Sequence, residues 1–124
     1  MSCPLFVLLV ENNLVETPEA GHVAEMYLRP LLNMGIDTLI LGCTHYPLMG
    51  EVIQKTVGAD VALISSAEET TREIREVLGV KGLLNHNGAQ PAPRRFFVSG
   101  PAQTFQELAG KLLEEEIKAY QVFL

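Results

Sequence analysis

The stretch DTLILGCTHYPLMG, residues 37–50, decides how the chain is read. Its first half is apolar without alternation, the pattern of a strand buried on both faces, and it stops abruptly at a cysteine and a histidine one residue apart. Three further runs look alike: LFVLLV (5–10), VALIS (61–65) and RRFFVSG (94–100). Each is followed by a helical pattern, and strands alternating with helices predict an α/β fold with a parallel sheet. The first long helix is expected after Thr17 as N-cap, with Pro18 at its first position and Val23, Tyr27, Leu31 and Met34 on its apolar face. Pro30 should kink it, at a cost of about 3 kcal/mol, and Gly35 should end it. In SSAEET (65–70), Ser66 and Glu69 read as a capping box opening another helix. A last helix is expected from about Pro101 to Tyr120, with Phe105, Leu108 and Leu112 on one side and Glu114, Glu115 and Glu116 as a solvated face. Between these two helices, GVKGLLNHNGAQPAPRR (79–95) is rich in Gly, Pro and Asn and reads as a long connection between lobes.

Composition narrows the function. With 124 residues the chain has the length of one domain or part of one. Lys and Arg total 9 against 15 Asp and Glu, a net charge of −6 without a basic stripe, so no nucleic-acid footprint is expected and a small-molecule partner is. Cys3 and Cys43 are too few for a disulfide framework and read as reduced thiols. The opening MSCPLFVLLVENN has no basic n-region and no small-residue cleavage pattern, and its apolar run is too short to span a bilayer. The expectation is a cytoplasmic protein without a membrane span.

The candidate chemistry lies in GCTH. Ligands of open α/β sheets bind beyond the carboxyl ends of the strands, where this segment falls. Thr44 is expected to cap the following helix, with Pro47 in its first turn. Cys43 would then face unpaired N–H groups at the positive end of a helix dipole, which favour thiolate, and a nearby His45 would assist it as base or nucleophile. A lone cysteine after a strand is equally often a small buried residue, and spacing alone does not choose. Cys-x-His lacks the second ligand pair that a metal site needs. Cys3, read at the start of a strand, and His22, on a polar helix surface, have plain structural or solvent-facing readings, as does His86 in the loop. Glu11 is expected at the end of the LFVLLV strand, on the same sheet edge as Cys43, where it would contact a ligand amine or only solvent.

LGCTHYPL (41–48), preceded by GIDTLI (35–40), closely resembles the second catalytic-cysteine motif of the glutamate racemases. CPLFVLLVENN (3–13) resembles that family's CPLFVPLVE segment, with Leu8 in place of a proline. ALISSAEETTREI (62–74) and RRFFVSGPAQTFQELAGKLL (94–113) resemble its later strand and helix pairs, so the resemblance covers essentially the whole chain. It implies a two-lobed enzyme with flavodoxin-like lobes that interconverts L- and D-glutamate, supplying the D-isomer for peptidoglycan. It also implies no cofactor: one cysteine on each face of the substrate moves the α-proton, and no pyridoxal-phosphate lysine is evident.

By the same resemblance Cys43 matches one of the two thiols and His45 the residue assisting it. Thr44 with His45 matches a substrate-contacting pair, and Glu11 a glutamate near the ligand amine. The family's Asp-Ser-Gly motif and its first cysteine, in a Cys-Asn-Thr setting, occur nowhere in this sequence, and Cys3 matches a different segment. The expectation is therefore a C-terminal half: residues 1–80 as a partial lobe, 81–93 as a connection, and 94–124 as a strand and helix of the other lobe. Such a half would be inactive alone and would be a homo-oligomer or want its N-terminal half. Two other readings compete. One is a non-catalytic protein of the same ancestry that binds an acidic amino acid or another subunit. The other is a thiol hydrolase, which the lack of a recognisable orienting acid disfavours.

Overall fold

The structure is a computed structural model, described here for residues 1–85 and 94–123. The chain divides into two compact units, Met1–Asn85 and His86–Leu124. His86 and most of the Pro-rich end of the connection lie outside the described residues.

The first unit departs from expectation at its start. LFVLLV is not a strand but the body of helix α1, Pro4–Glu11. Pro4 occupies the first turn, where its missing N–H costs nothing. Phe6, Leu9 and Val10 are buried while Leu5 and Leu8 are exposed, which is helical spacing inside an apolar run too short to display its period. Asn13, in the left-handed conformation at φ 56°, ends it.

Helix α2 runs Pro18–Leu32 behind Thr17, as expected, and Gly35 follows at φ 71°. The buried positions are Ala20, Ala24 and Leu28, one ridge round from the stripe expected, and Met34 is largely exposed. Pro30 lies inside the helix, two residues from its end and beyond all three buried positions, so its cost falls on the last turn rather than on the packed face.

Strand β1, Thr38–Leu41, and strand β2, Ala62–Ser65, form a two-stranded parallel sheet with Leu39 opposite Leu63 and Ile40 opposite Ile64. The crossover between them is a 3₁₀ turn, Tyr46–Met49, followed directly by helix α3, Gly50–Val57. Met49, Ile53, Val57 and Val61 are buried together with Phe6, Val10, Ala24, Leu28 and Leu41. Full burial of side chains such as Phe6 or Ile53 is worth about 1.5–3 kcal/mol each, so this face of the sheet carries the unit's stability. Gln54 fastens the end of α3 by donating from its amide to the carbonyls of Gly58 (2.7 Å) and Val61 (3.1 Å).

Helix α4 spans Ser66–Val80. Its cap is one residue earlier than the sequence suggests: the Ser65 hydroxyl accepts the Glu68 N–H at 3.3 Å, while the Ser66 hydroxyl donates to the Leu41 carbonyl at 2.7 Å and ties α4 to the end of β1.

In the second unit, strand β3 is Phe96–Val98 and helix α5 is Ala102–Leu113. The helix stops seven residues before the expected Tyr120, because Glu114 turns left-handed at φ 51°. Ala119–Gln121 instead forms strand β4, parallel to β3 with Phe96 opposite Ala119. Phe96 packs on Phe105 with ring centres 5.5 Å apart, and the Gln106 side-chain carbonyl accepts the Ala119 N–H at 2.9 Å. Glu115 belongs to an ion pair with Arg94 at 2.6 Å rather than to a purely solvated face.

Candidate active site

Cys43 lies two residues beyond the carboxyl end of β1, half-buried, and the first turn of the crossover begins three residues later. The expected helix cap is absent. Thr44 bonds no helical N–H; its hydroxyl is 3.4 Å from Nδ1 of His45, and His45 itself is the residue preceding the 3₁₀ turn. Four residues of 3₁₀ helix separate Cys43 from α3, so the helix dipole expected to act on the thiol is displaced by that turn.

What surrounds the thiol instead is an imidazole. The Cys43 Sγ stands 3.9 Å from Nδ1 of His45, and on the other side of the ring Nε2 stands 3.5 Å from a carboxylate oxygen of Glu11. A thiol, an imidazole and a carboxylate are thus aligned in the order that hands a proton from sulfur to nitrogen and stabilises the resulting cation. The His45 side chain is 30% exposed and that of Glu11 52%, so the line is open to solvent at its carboxylate end. With hydrogen on Nε2, the nitrogen nearer the carboxylate, Nδ1 is free to accept from Cys43 and Thr44.

The structure therefore brings Cys43, Thr44, His45 and Glu11 together, but by a different route for the last. Glu11 reaches the site as the final residue of helix α1, not as the end of a strand. Its carboxylate is the acidic group beside the imidazole that the sequence did not disclose.

The other candidates stay apart. His22 is exposed on α2. Cys3 is buried at the N-cap of α1 with 4% exposure, and burial pushes its thiol pKa up, against smaller lowering effects of the chain's N-terminal ammonium and a hydrogen bond with Tyr46. An open groove of about 1190 Å³ is lined by residues including Thr17, Glu51, Lys55 and Val61, and by none of Cys43, Thr44, His45 and Glu11. Sequence reasoning passed over Tyr46, whose hydroxyl accepts the Cys3 N–H at 2.9 Å and whose signal was only its place inside the motif.

No protein-family profile matches the chain. Glutamate racemase of Mycobacterium ulcerans is 41% identical over 121 residues, which is 98% of this chain and 45% of that protein. Among solved structures, a glutamate racemase isoform of Bacillus anthracis superposes with a TM-score of 0.87 at 42% identity, again over 98% of this chain and 45% of the other. The chain is homologous to the glutamate racemases. A further racemase structure, from Francisella tularensis in complex with D-glutamate, matches with a TM-score of 0.78 at 30% identity. The mixed architecture of helices and parallel strands is that of the racemases, and the chain spans about half the length of the curated relatives it matches. Among the described residues no helix is long and apolar enough to cross a membrane.

Proposed function

We propose that this chain carries one of the two proton-transfer sites of a glutamate racemase. Cys43 as thiolate takes the α-proton of glutamate and becomes a thiol; a second thiol, supplied by the remaining half of the enzyme, gives its own proton to the opposite face of the carbanion, yielding the other enantiomer. His45 accepts the Cys43 proton at Nδ1 to ready the thiolate and releases it to solvent, and Glu11 stabilises the imidazolium that forms. Thr44 and His45 contact the substrate, and Glu11 stays within reach of its amine. No cofactor is invoked, the compartment is the cytoplasm, and the D-glutamate made serves peptidoglycan synthesis.

The observation that carries this reading is the Cys43–His45 approach of 3.9 Å at the carboxyl end of a parallel strand, within a segment homologous to racemases along nearly its whole length. Residues 1–80 belong on this reading to one lobe and 94–124 to the other, joined through 81–93. The partner is suggested by what is left uncovered. Ile40 is 68% exposed beside Ile64 on the sheet face away from α3, although parallel sheets are covered on both faces. The other half of a racemase covers that face; without it the chain self-associates through the same surface, most simply as a symmetric dimer.

Deuterium uptake at the α-carbon of glutamate tests the proposal. We expect negligible uptake by the chain alone and uptake by the chain mixed with the complementary half of a racemase relative. Glutamate binding by the mixture without exchange supports the second reading, a non-catalytic protein of the same ancestry. Ester hydrolysis without exchange identifies the thiol hydrolase, for which Glu11 now supplies the orienting acid.

A further inference from the structure

Glu11 and His45 come from different elements, and their approach depends on holding α1 against the turn after β1. The first N–H groups of a helix have no partner within it. At α1, Pro4 has none to offer and the Cys3 side chain makes no cap. Two tyrosines do the work instead: Tyr46 accepts the Cys3 N–H at 2.9 Å, and Tyr27 accepts the Leu5 N–H at 3.5 Å. Between them lies Phe6, 1% exposed, its ring edge-on to Tyr46 (centres 5.5 Å apart, planes at 88°) and to Tyr27 (5.4 Å, 81°). Tyr46 is thus pinned by both hydroxyl and ring, and it is one peptide bond from His45.

We propose that Tyr46 is a positioning residue: by capping and gripping the start of α1 it sets Glu11, at the far end of that helix, against His45 Nε2, and so holds the imidazole in the tautomer whose bare Nδ1 faces Cys43. The proposal rests on the reading of Cys43, His45 and Glu11 as the reacting line. It deepens that reading by naming what aligns the line. Nδ1 can take the thiol proton only when it carries none of its own, and the Glu11 carboxylate enforces this by requiring hydrogen on Nε2. If α1 loosens, Glu11 retreats, the preference lapses, and a share of the molecules present Nδ1–H to the sulfur and cannot accept.

The test is the ¹⁵N spectrum of the His45 ring in the 124-residue chain, at a pH where the imidazole is neutral. The unaltered chain is expected to show a single dominant tautomer with hydrogen on Nε2. Tyr46→Phe keeps the ring and deletes the acceptor; it should give a mixture of tautomers, and Glu11→Ala should give the same signature with Tyr46 intact. Ile53→Val trims the core at α3 and is the control: its Tm should fall with the tautomer unchanged. A Tyr46→Phe chain that loses stability but keeps the unaltered tautomer makes Tyr46 merely structural and overturns the proposal. Should Tyr46→Phe fail to fold, Phe6→Leu, which loosens the ring contact and spares the hydroxyl, carries the same test with the same two outcomes. Because the readout needs no turnover, a tautomer shift in the chain together with no α-deuterium uptake by its mixture with the complementary half would defeat the racemase reading and leave this inference standing, and the converse result would do the opposite.

Discussion

The two cysteines, one at the start of α1 and one just beyond β1, are opposites. Cys3 is buried at the start of α1, its N–H given to Tyr46 and its sulfur desolvated, so that the neutral thiol is favoured. Cys43 is half-buried at the end of β1, with its sulfur 3.9 Å from an imidazole and that imidazole 3.5 Å from a carboxylate. Residue type is therefore a poor guide to thiol chemistry, and surroundings are a good one. Packing consumes the first cysteine. The second is left beside an imidazole, with a carboxylate and solvent beyond it.

The largest expected effect would break this contrast outright if it failed. In a protein that holds both racemase halves, Cys43→Ala should abolish racemisation, read as α-deuterium incorporated into glutamate with inversion, and Cys43→Ser should nearly do so, since a hydroxyl is a far weaker acid than a thiol and yields little anion near neutral pH. Cys3→Ala should leave the exchange rate nearly as it was. Equal losses in the two alanine variants would show that burial does not separate the thiols' roles.

A smaller effect is expected from His45→Ala. It leaves the sulfur in place but removes the group that receives its proton, and assistance of that kind is typically worth about 10²–10⁴-fold. The rate of exchange in the same two-half protein should fall within that range rather than vanish. A loss as complete as that of Cys43→Ala would make the imidazole itself the base, and an unchanged rate would make the 3.9 Å approach incidental.

The sequence disclosed the cysteine with the imidazole because Cys43, Thr44 and His45 are contiguous, and it disclosed β1 and β2 because buried parallel strands read as unbroken apolar runs. It misled at α1. Eight residues of nearly uniform apolarity carry no readable period, and the punctuation that would have corrected the reading, Pro4 in the first turn and Asn13 after the last, is weaker than the run itself. Strand β4 was hidden for a different reason. Three residues after a helical pattern become a strand only because Phe96–Val98 offers them an edge, which is non-local information. Thr44 lost its capping role because the turn that follows is 3₁₀ rather than α. Glu11 was found by resemblance, yet its post beside His45 follows from how α1 is gripped by Tyr27 and Tyr46, and neighbouring residues alone carry no trace of that.

The smallest expected effect sharpens the contrast from the side of Cys3. Burial raises its pKa in the folded chain above the ordinary thiol value of about 8.5, so the folded state binds this proton more tightly than the unfolded state does. For an acid with a raised folded pKa, the stability linked to it is fully present below the unfolded value and is lost as pH rises through the folded one. The chain should therefore lose stability between neutral and alkaline pH in part because Cys3 must ionise in an apolar setting or be released from it. Tyrosines and lysines also titrate at alkaline pH, so the comparison that isolates the thiol is between the unaltered chain and Cys3→Ala. Urea midpoints measured across the thiol range should fall less steeply for Cys3→Ala than for the unaltered chain. An alkaline slope left unchanged by Cys3→Ala would show that the buried thiol is not coupled to folding, and the contrast drawn from its burial would fail.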